Sequence, residues 1–195
     1  MNVMKKLVKF AMSFLVPRII KNMYLMARYS CVIHPSADIK FIKNIIIGKG
    51  AILGRVYITA QGPIRIGSKS FINDNVILNS KTGYIHIGSE TSINHNSVVF
   101  GNGGVEIGNR CAIGLNVQIV KNHRIPERLS DPYDEITPGK TIVGDNVWLC
   151  SNVVIVDGVI VGSYSVVGSN SLVSRDIPEA VIAGGIPAKV LKGRE

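Results

Sequence analysis

A six-residue repeat runs through most of this 195-residue chain, from Ile47 to Val173. Its first position is aliphatic in thirteen hexads, at residues 47, 53, 66, 72, 87, 93, 107, 113, 143, 149, 155, 161 and 167. Gly follows directly in nine of them, although only 20 of the 195 residues are Gly. The fifth position is small or β-branched, with Tyr57 as the single bulky exception. A fixed short period of this kind is typical of a β-helix solenoid.

The hexads group into coils of three short strands. The first residues of four successive coils, Ile47, Ile66, Ile87 and Ile107, are 19, 21 and 20 residues apart, so a coil holds three hexads and one to three inserted residues. Each strand directs an aliphatic and a small side chain inward, where the next coil covers them. We expect Gly at the second position to supply the positive φ that tight turns need. A two-sheet sandwich is the structural alternative, but it predicts turns about every 8–12 residues.

The repeat breaks once, between Ile119 and Val143. The 23 intervening residues, 120–142, carry no hexad and contain three prolines, charges of both signs and His123. Long irregular loops inside a compact domain are usually functional. We therefore expect this loop to be extruded from the coil. The repeat resumes after it with a segment that contains Trp148, the only Trp of the chain.

The first 30 residues differ from the rest in charge and periodicity. They contain six Lys or Arg residues and no Asp or Glu. Apolar residues recur at helical spacing on both sides of Pro17, which predicts two short amphipathic helices joined there, the second ending before Cys31. We assign residues 1–30 to this helical segment and 31–195 to the solenoid domain. The segment either caps the open first coil or contacts an anionic membrane surface, and the two roles are compatible.

Charge and cysteine content narrow the class of function. The net charge of +9 is compatible with nucleic acid, but no binding motif is present and aromatic residues are only 6%. A protein that handles a polyphosphorylated cofactor explains the charge more economically. Three cysteines, an odd number, favour a reduced, cytoplasmic setting. No apolar run reaches the roughly 18–20 residues that span a bilayer, and no small-residue cleavage site follows Phe10–Val16, which disfavours a signal peptide.

Three motifs after Ile113 carry a family resemblance. They are Asn122-His123 before a proline-containing loop, Gly144-Asp-Asn-Val-Trp148 at the restart of the repeat, and Ser174-Arg-Asp-Ile-Pro178 followed by Ala183-Gly-Gly-Ile-Pro-Ala-Lys189-Val-Leu191. With them, residues 45–192 resemble the hexapeptide-repeat O-acetyltransferases of the maltose and galactoside type and the related capsule and lipopolysaccharide O-acetyltransferases.

The resemblance implies a left-handed parallel β-helix, a homotrimer with active sites between subunits, acetyl-CoA as donor and no metal. It identifies His123 as the catalytic residue. Acetyl transfer to a hydroxyl needs such a base, because an alcohol is a poor nucleophile at neutral pH. Ser151 matches the corner whose backbone N–H stabilises the oxyanion in this family. No residue resembles a covalent acyl carrier, so we expect direct transfer in a ternary complex.

The other site residues also come from the resemblance. Acetyl-CoA is expected to contact Trp148, Ser151 and Ser169, with Ser174, Arg175 and Lys189 near its pantetheine or phosphates. Asn94 matches a position that contacts the acceptor sugar in the galactoside enzymes. His95 beside it and Trp148 are further candidates for the acceptor site.

These features predict an acetyl-CoA-dependent O-acetyltransferase that modifies a hydroxyl of a sugar or surface glycan. The basic helices stand in place of the sugar-binding N-terminal segment of the maltose and galactoside enzymes. This difference favours a polymeric or lipid-linked glycan, modified at the cytoplasmic face of a membrane. Three alternatives remain open: an N-acetyltransferase acting on a nucleotide-linked amino sugar, a gamma-class carbonic anhydrase with a zinc site of three histidines, and a non-catalytic solenoid scaffold.

Overall fold

A helix and a stack of short parallel strands make up the part of the chain that the computed structural model describes, residues 17–120 and 139–194. Helix α1 spans Arg18–Tyr29, and a single 3-10 turn covers Ile42–Asn44. The second predicted helix is therefore confirmed and ends before Cys31, as expected. The first predicted helix lies outside the described residues. No helix within the described ranges is long and apolar enough to cross a membrane.

The described strands form three sheets, A, B and C, which follow one another around each coil. Sheet A contains β1 (Val32–Ile33), β4 (Ile52–Leu53), β7 (Phe71–Ile72), β10 (Ser92–Ile93), β13 (Ala112–Ile113), β16 (Trp148–Leu149), β19 (Val166–Val167), β21 (Val181–Gly185) and β22 (Ala188–Gly193). Sheet B contains β2 (Asp38–Lys40), β5 (Tyr57–Thr59), β8 (Ile77–Asn79), β11 (Val98–Phe100), β14 (Gln118–Val120), β17 (Val154–Val156) and β20 (Leu172–Val173). Sheet C contains β3 (Ile45–Ile47), β6 (Ile64–Ile66), β9 (Ile85–Ile87), β12 (Val105–Ile107), β15 (Thr141–Val143) and β18 (Ile160–Val161).

The register of these strands stacks like residues on like. Ile66 pairs with Ile87, and Ile87 with Ile107, so that aliphatic side chains form continuous columns inside the solenoid. Outward residues alternate with them, as in β6, where Arg65 is exposed between two buried isoleucines. Burying each such aliphatic side chain stabilises the fold by roughly 1.5–3 kcal/mol. All strand pairs are parallel except the terminal β21–β22 hairpin, which confirms the predicted parallel β-solenoid.

Tyr57, the one bulky residue at a fifth hexad position, follows a shortened corner. The corner from Leu53 to Val56 has one residue fewer than the corner from Ile72 to Val76 in the next coil. Val56 takes the inward place and is 1% exposed, whereas Tyr57 begins β5 on the outside and is 52% exposed. The assignment of Tyr57 to an inward position is therefore wrong.

Gly at the second hexad position has a different role from the expected one. None of these nine glycines has a positive φ. Ten non-Gly residues at the fourth position are left-handed instead, and six of them are Asn: Lys69, Asn75, Glu90, Asn96, Arg110, Asn116, Asn146, Asn152, Tyr164 and Asn170. Asn tolerates this conformation better than most residues. The second position needs Gly because of close packing, since a Cβ on Gly114 would lie 2.8 Å from both the Cys150 carbonyl carbon and the Ser151 nitrogen.

Helix α1 packs over the first coil. Leu25 is fully buried against it, and Asn22 is 1% exposed. The Asn22 Nδ2 group donates to the carbonyls of His34, Pro35 and Ala37 at 3.2, 3.4 and 3.0 Å. The helix thereby supplies a hydrogen-bond donor to backbone carbonyls at the first corner. Buried backbone carbonyls need such partners.

The break in the repeat is shorter than the expected loop of residues 120–142. Strand β14 extends through Val120 and β15 begins at Thr141, so both ends of that span belong to strands. Residues 121–138, with His123 among them, lie outside the described part of the chain. Strand β15 pairs with β12 on one side and β18 on the other, so the coil resumes in register after the break.

Candidate functional site

The A/B edge, the row of corners between sheets A and B, carries several of the expected site residues. Backbone hydrogen bonds of 2.8–3.1 Å join its corners, from Asn116 N to the His95 carbonyl, from Asn152 N to that of Leu115 and from Asn170 N to that of Ser151. His95, Leu115, Ser151 and Ser169 therefore occupy successive levels of one column. Because neighbouring strands lie about 4.8 Å apart, His95 and Ser151 are about 10 Å apart along it.

Asn94 lies at the same edge but is held by its neighbours. Its Nδ2 group donates to the Ile113 carbonyl at 3.0 Å, and its Oδ1 atom accepts from Asn73 Nδ2 at 3.1 Å. One N–H and one lone pair remain for a ligand. His95 is exposed next to it. His95 thus has greater freedom than Asn94 to contact a ligand.

The backbone at Ser151 has a donor to offer. Within the described residues the Ser151 N–H has no hydrogen-bond acceptor. By contrast, the equivalent Asp145 N–H at the corner between sheets C and A donates to Ser163 Oγ at 3.1 Å. An unengaged backbone donor at a corner is the kind of group that stabilises a developing oxyanion.

Trp148 lies on the outer face of sheet A, three residues before Ser151 in the same coil. Its side chain is 52% exposed, and its ladder neighbours are Ala112 and Val166. The small Ala112 leaves one side of the indole uncovered. Trp148 therefore presents a flat apolar surface beside the A/B edge, suited to contact with a ligand.

Leu115 is a residue of this edge that the sequence analysis missed. It is 46% exposed and lies between His95 and Ser151 in the column. A signal was available, because it is the only apolar residue among the thirteen third positions of the hexads. Its exposed side chain, between His95 and Ser151, adds apolar surface to the candidate site.

The C-terminal hairpin lies at the lower end of the A/B edge. Strand β21 joins sheet A through the pair Val167 and Ala183, and β22 folds back so that Lys189 lies opposite Gly184. Gly184 follows Ala183, whose carbonyl accepts a hydrogen bond from Gly168 N at 2.8 Å. Lys189 is exposed. The structure therefore brings Lys189 to the same end of the edge as Ser169.

Ser174 and Arg175 lie elsewhere. Both follow β20 directly, at the B/C edge between sheets B and C, and both are exposed. The chain then reaches Ile177, which forms a β-bridge with Val161 of sheet C. Sheet B separates this edge from the A/B edge. The structure does not bring Arg175 together with Ser169 on one edge of a single chain.

The break in the repeat also begins and ends on the B/C side, where Val120 ends β14 and Lys140 leads into β15. The Lys140 ammonium lies 3.0 Å from Glu106 Oε2, and the Tyr84 hydroxyl donates to Glu106 Oε1 at 2.9 Å. Hydrogen bonds from Lys140 and Tyr84 hold the pKa of Glu106 below its usual range. Burial beside Tyr84, 4.6 Å away between ring centroids, lowers the pKa of His86. This cluster was not expected from the sequence, although His86 and Glu106 occupy matching strand positions in successive coils.

Comparisons with known sequences point to transferases. The family described as bacterial transferase hexapeptide (six repeats) matches residues 140–175. The chain is 29% identical over 174 residues to WbbJ of Escherichia coli K12, named for lipopolysaccharide biosynthesis O-acetyl transfer, covering 85% of this chain and 76% of WbbJ. It is 37% identical over 109 residues to the galactoside O-acetyltransferase of the same organism, which is 55% of this chain and 53% of that protein. The chain thus spans about half the length of the galactoside enzyme.

Solved structures extend the comparison. A maltose O-acetyltransferase from Clostridium difficile 630 matches with 31% identity and a TM-score of 0.58, over 67% of this chain and 69% of that chain. A variant of AntD, an N-acyltransferase from Bacillus cereus in complex with dTDP-4-amino-4,6-dideoxyglucose and Coenzyme A, matches with 24% identity and a TM-score of 0.63, over 86% and 85%. The second likeness shows the fold alone. The chain belongs to the hexapeptide-repeat transferase family, which confirms the resemblance inferred from its motifs.

Proposed function

We propose that this protein is an acetyl-CoA-dependent O-acetyltransferase that modifies a hydroxyl of a sugar or surface glycan. The observation that carries the proposal is the match to the maltose O-acetyltransferase, at 31% identity over 67% of this chain. The A/B edge supports it, because the Ser151 N–H, which has no acceptor among the described residues, follows the exposed ring of Trp148 by three positions. The N–H can donate a hydrogen bond to the carbonyl oxygen of a thioester. The indole ring can provide an apolar surface for the rest of the ligand.

His123 is the proposed general base. It follows Val120, the last residue of β14, by three positions and lies outside the described residues. The imidazole accepts the proton of the attacking hydroxyl and then returns it to the departing thiolate of coenzyme A, as the new C–O bond forms and the C–S bond breaks. An unperturbed pKa of about 6.5 suits both proton transfers. The Ser151 N–H donates to the carbonyl oxygen as it gains negative charge.

Acetyl-CoA is the proposed donor. Ser151, Ser169 and Lys189 lie at one end of the A/B edge, while Ser174 and Arg175 lie on the B/C edge. The two exposed cations, Arg175 and Lys189, suit the phosphate groups of coenzyme A, since charge-assisted hydrogen bonds to phosphate are strong. The protein's net charge of +9 agrees with a polyanionic substrate.

A homotrimer is the proposed assembly. In one chain, sheet B separates the column of Ser151 from the base of the loop at Val120. A site that uses both edges is completed most simply when a second copy brings its loop to the first. Exposed apolar side chains on the flat outer face of sheet A, Val32, Ile52 and Phe71, also favour contact between copies.

The acceptor is proposed to be a polymeric or lipid-linked glycan, with Asn94, His95 and Trp148 as contacts. The alternative acceptor, an amino group on a nucleotide-linked sugar, has less support, because AntD is only 24% identical and shows the fold alone. We further propose a cytoplasmic protein with peripheral contact to an anionic membrane surface. Its three cysteines are all free, as in a reducing compartment, and α1 exposes Ile19 and Met23 beside basic residues.

Coenzyme A release from acetyl-CoA tests the proposal. The assay compares maltose, a purified surface polysaccharide and a nucleotide-linked amino sugar at equal concentrations, with mass spectrometry of each product. We expect an O-acetyl ester on the polysaccharide or the disaccharide. Turnover with the amino sugar alone, with an amide as product, would support the N-acetyltransferase instead.

A further inference from the structure

A cationic cavity lies between α1 and the 3-10 turn, away from the candidate active site. Its volume is about 430 Å³, and Lys21, Arg28 and Lys43 line it. Within the described part of the chain none of its lining residues is acidic. The whole sequence before Asp38 contains neither Asp nor Glu. The lining therefore supplies cationic side chains and no acidic residue, which favours an anionic ligand.

Two tyrosines hold Arg28 in this cavity. Arg28 Nη1 donates to the Tyr24 hydroxyl at 2.6 Å, and the guanidinium carbon lies 5.9 and 5.4 Å from the ring centroids of Tyr24 and Tyr29. Tyr29 is itself fixed, because its hydroxyl donates to the Ile45 carbonyl at 2.9 Å. The guanidinium is thus positioned while most of its five N–H groups stay available. A planar, positioned guanidinium is well suited to phosphate.

The helix surface beside the cavity is apolar and exposed. Ile19, Ile20 and Met23 are 58%, 55% and 59% exposed, and Ile20 also lines the cavity. These side chains do not serve the solenoid core, because α1 packs on it through Leu25. Exposed apolar residues next to cationic ones are typical of helices that lie in a membrane interface.

We propose that this cavity binds the phosphate headgroup of an anionic phospholipid at a membrane surface. The inference rests on the peripheral membrane contact proposed above and adds a defined headgroup site. Arg28 and Lys43 donate to the phosphate, while Ile19 and Met23 enter the interfacial region between headgroups and acyl chains. A lipid is favoured over free phosphate because only a lipid accounts for both the cations and the exposed apolar side chains.

Sedimentation of the full-length protein with vesicles tests the site. We expect binding to vesicles of phosphatidylcholine mixed with phosphatidylglycerol and little binding to phosphatidylcholine alone. Arg28→Gln with Lys43→Gln should reduce partitioning into the anionic vesicles by about 30-fold, which is about 1 kcal/mol for each cation. The matched control, Lys69→Gln with Arg110→Gln, removes the same charge from exposed corners between sheets C and A. It should change partitioning far less.

Each other outcome contradicts the proposal. If both double variants lose the same amount of vesicle binding, the protein is attracted to the membrane by its overall charge and not through this cavity. If the wild type does not bind the anionic vesicles, the cavity is not a headgroup site. Inorganic phosphate that binds the protein as tightly as the vesicles do would make a soluble phosphate the ligand.

Arg28→Lys, which keeps the charge but loses the planar fork, should still fold and should bind several-fold more weakly. Acetyl transfer to a soluble acceptor should be unchanged in all variants, and its absence in the wild type would count against the enzyme instead.

Discussion

The ammonium of Lys140 lies 3.0 Å from the carboxylate of Glu106, at the point where the chain re-enters the solenoid after the break in its repeat. The Tyr84 hydroxyl donates to the other carboxylate oxygen at 2.9 Å. Glu106 and Tyr84 belong to coils that precede the break, whereas Lys140 follows it. The contact therefore fixes the returning end of the chain to sheet C, and it holds β15 in register with β12.

Glu106→Gln should lower the free energy of unfolding at neutral pH by up to about 1 kcal/mol, the usual upper range for a partly exposed ion pair. Lys140 and Tyr84 lower the pKa of Glu106 in the folded chain. Its contribution is then present above the unfolded value, about 4.3, and is lost as the pH falls through the lower folded pKa. Urea unfolding of both proteins should differ near neutrality and converge in acid. Glu90→Gln, at an exposed corner, is the control, and a constant offset at every pH would contradict the linkage.

Gly114→Ala should lower the free energy of unfolding by about 1–3 kcal/mol, which is the usual range for overpacking substitutions. Its Cβ would lie 2.8 Å from backbone atoms of Cys150 and Ser151, which cannot move without shifting a coil. Gly168→Ala is the matched control, because it occupies the same hexad position and its Cβ would lie 3.5 Å from the Ala183 carbonyl oxygen, an ordinary contact. Calorimetry should show a lower Tm for the first variant only. Equal Tm values would show that Gly at this position is not required by packing.

These packing contacts explain how far the sequence could predict the fold. The hexad register could be predicted, because inward aliphatic residues and close-packed glycines recur at fixed spacing. The short corner at Val56 could not, since one missing residue shifts the inward position and leaves only Tyr57 as a sign. The shared column of His95 and Ser151 could also be predicted, because both residues hold the third hexad position at the same edge of their coils. The cationic cavity between α1 and the 3-10 turn could not be predicted, because its shape depends on how α1 packs on the first coil through Asn22.

We expect the protein to form a trimer in solution. Light scattering should give a mass of three times the 21.1 kDa chain under conditions that retain activity. The reason is that the column of Ser151 and the end of β14 at Val120 lie on opposite edges of sheet B, so that the proposed site would need a second copy to bring His123 to Ser151. An active species with the mass of a single chain would contradict the shared site, and it would require the loop to reach the A/B edge of its own chain.

Arg175→Ala combined with Lys189→Ala should raise the KM for acetyl-CoA roughly tenfold and change kcat by less than about threefold. Contacts to the phosphates are made equally in the ground and transition states, so their loss weakens binding without slowing the chemical step. Lys69→Ala with Arg110→Ala removes the same charge elsewhere and should leave the donor KM near the wild-type value. If both pairs raise KM equally, the effect is general electrostatic attraction and the phosphates bind at another place.

His123→Ala should lower kcat by about 10²-fold or more, because the attacking hydroxyl loses its general base. Donor KM and oligomeric mass should change little, since residue 123 lies between β14 and β15 along the chain and belongs to no described strand. His95→Ala is the comparison variant, because His95 is exposed on the A/B edge and is the next candidate base. The wild-type rate should fall in acid with one apparent pKa near 6.5, the ordinary value for histidine, and this step should disappear from the residual activity of His123→Ala. If His95→Ala removes both the rate and the pH step while His123→Ala retains them, the base is His95 and the reaction takes place at the A/B edge itself.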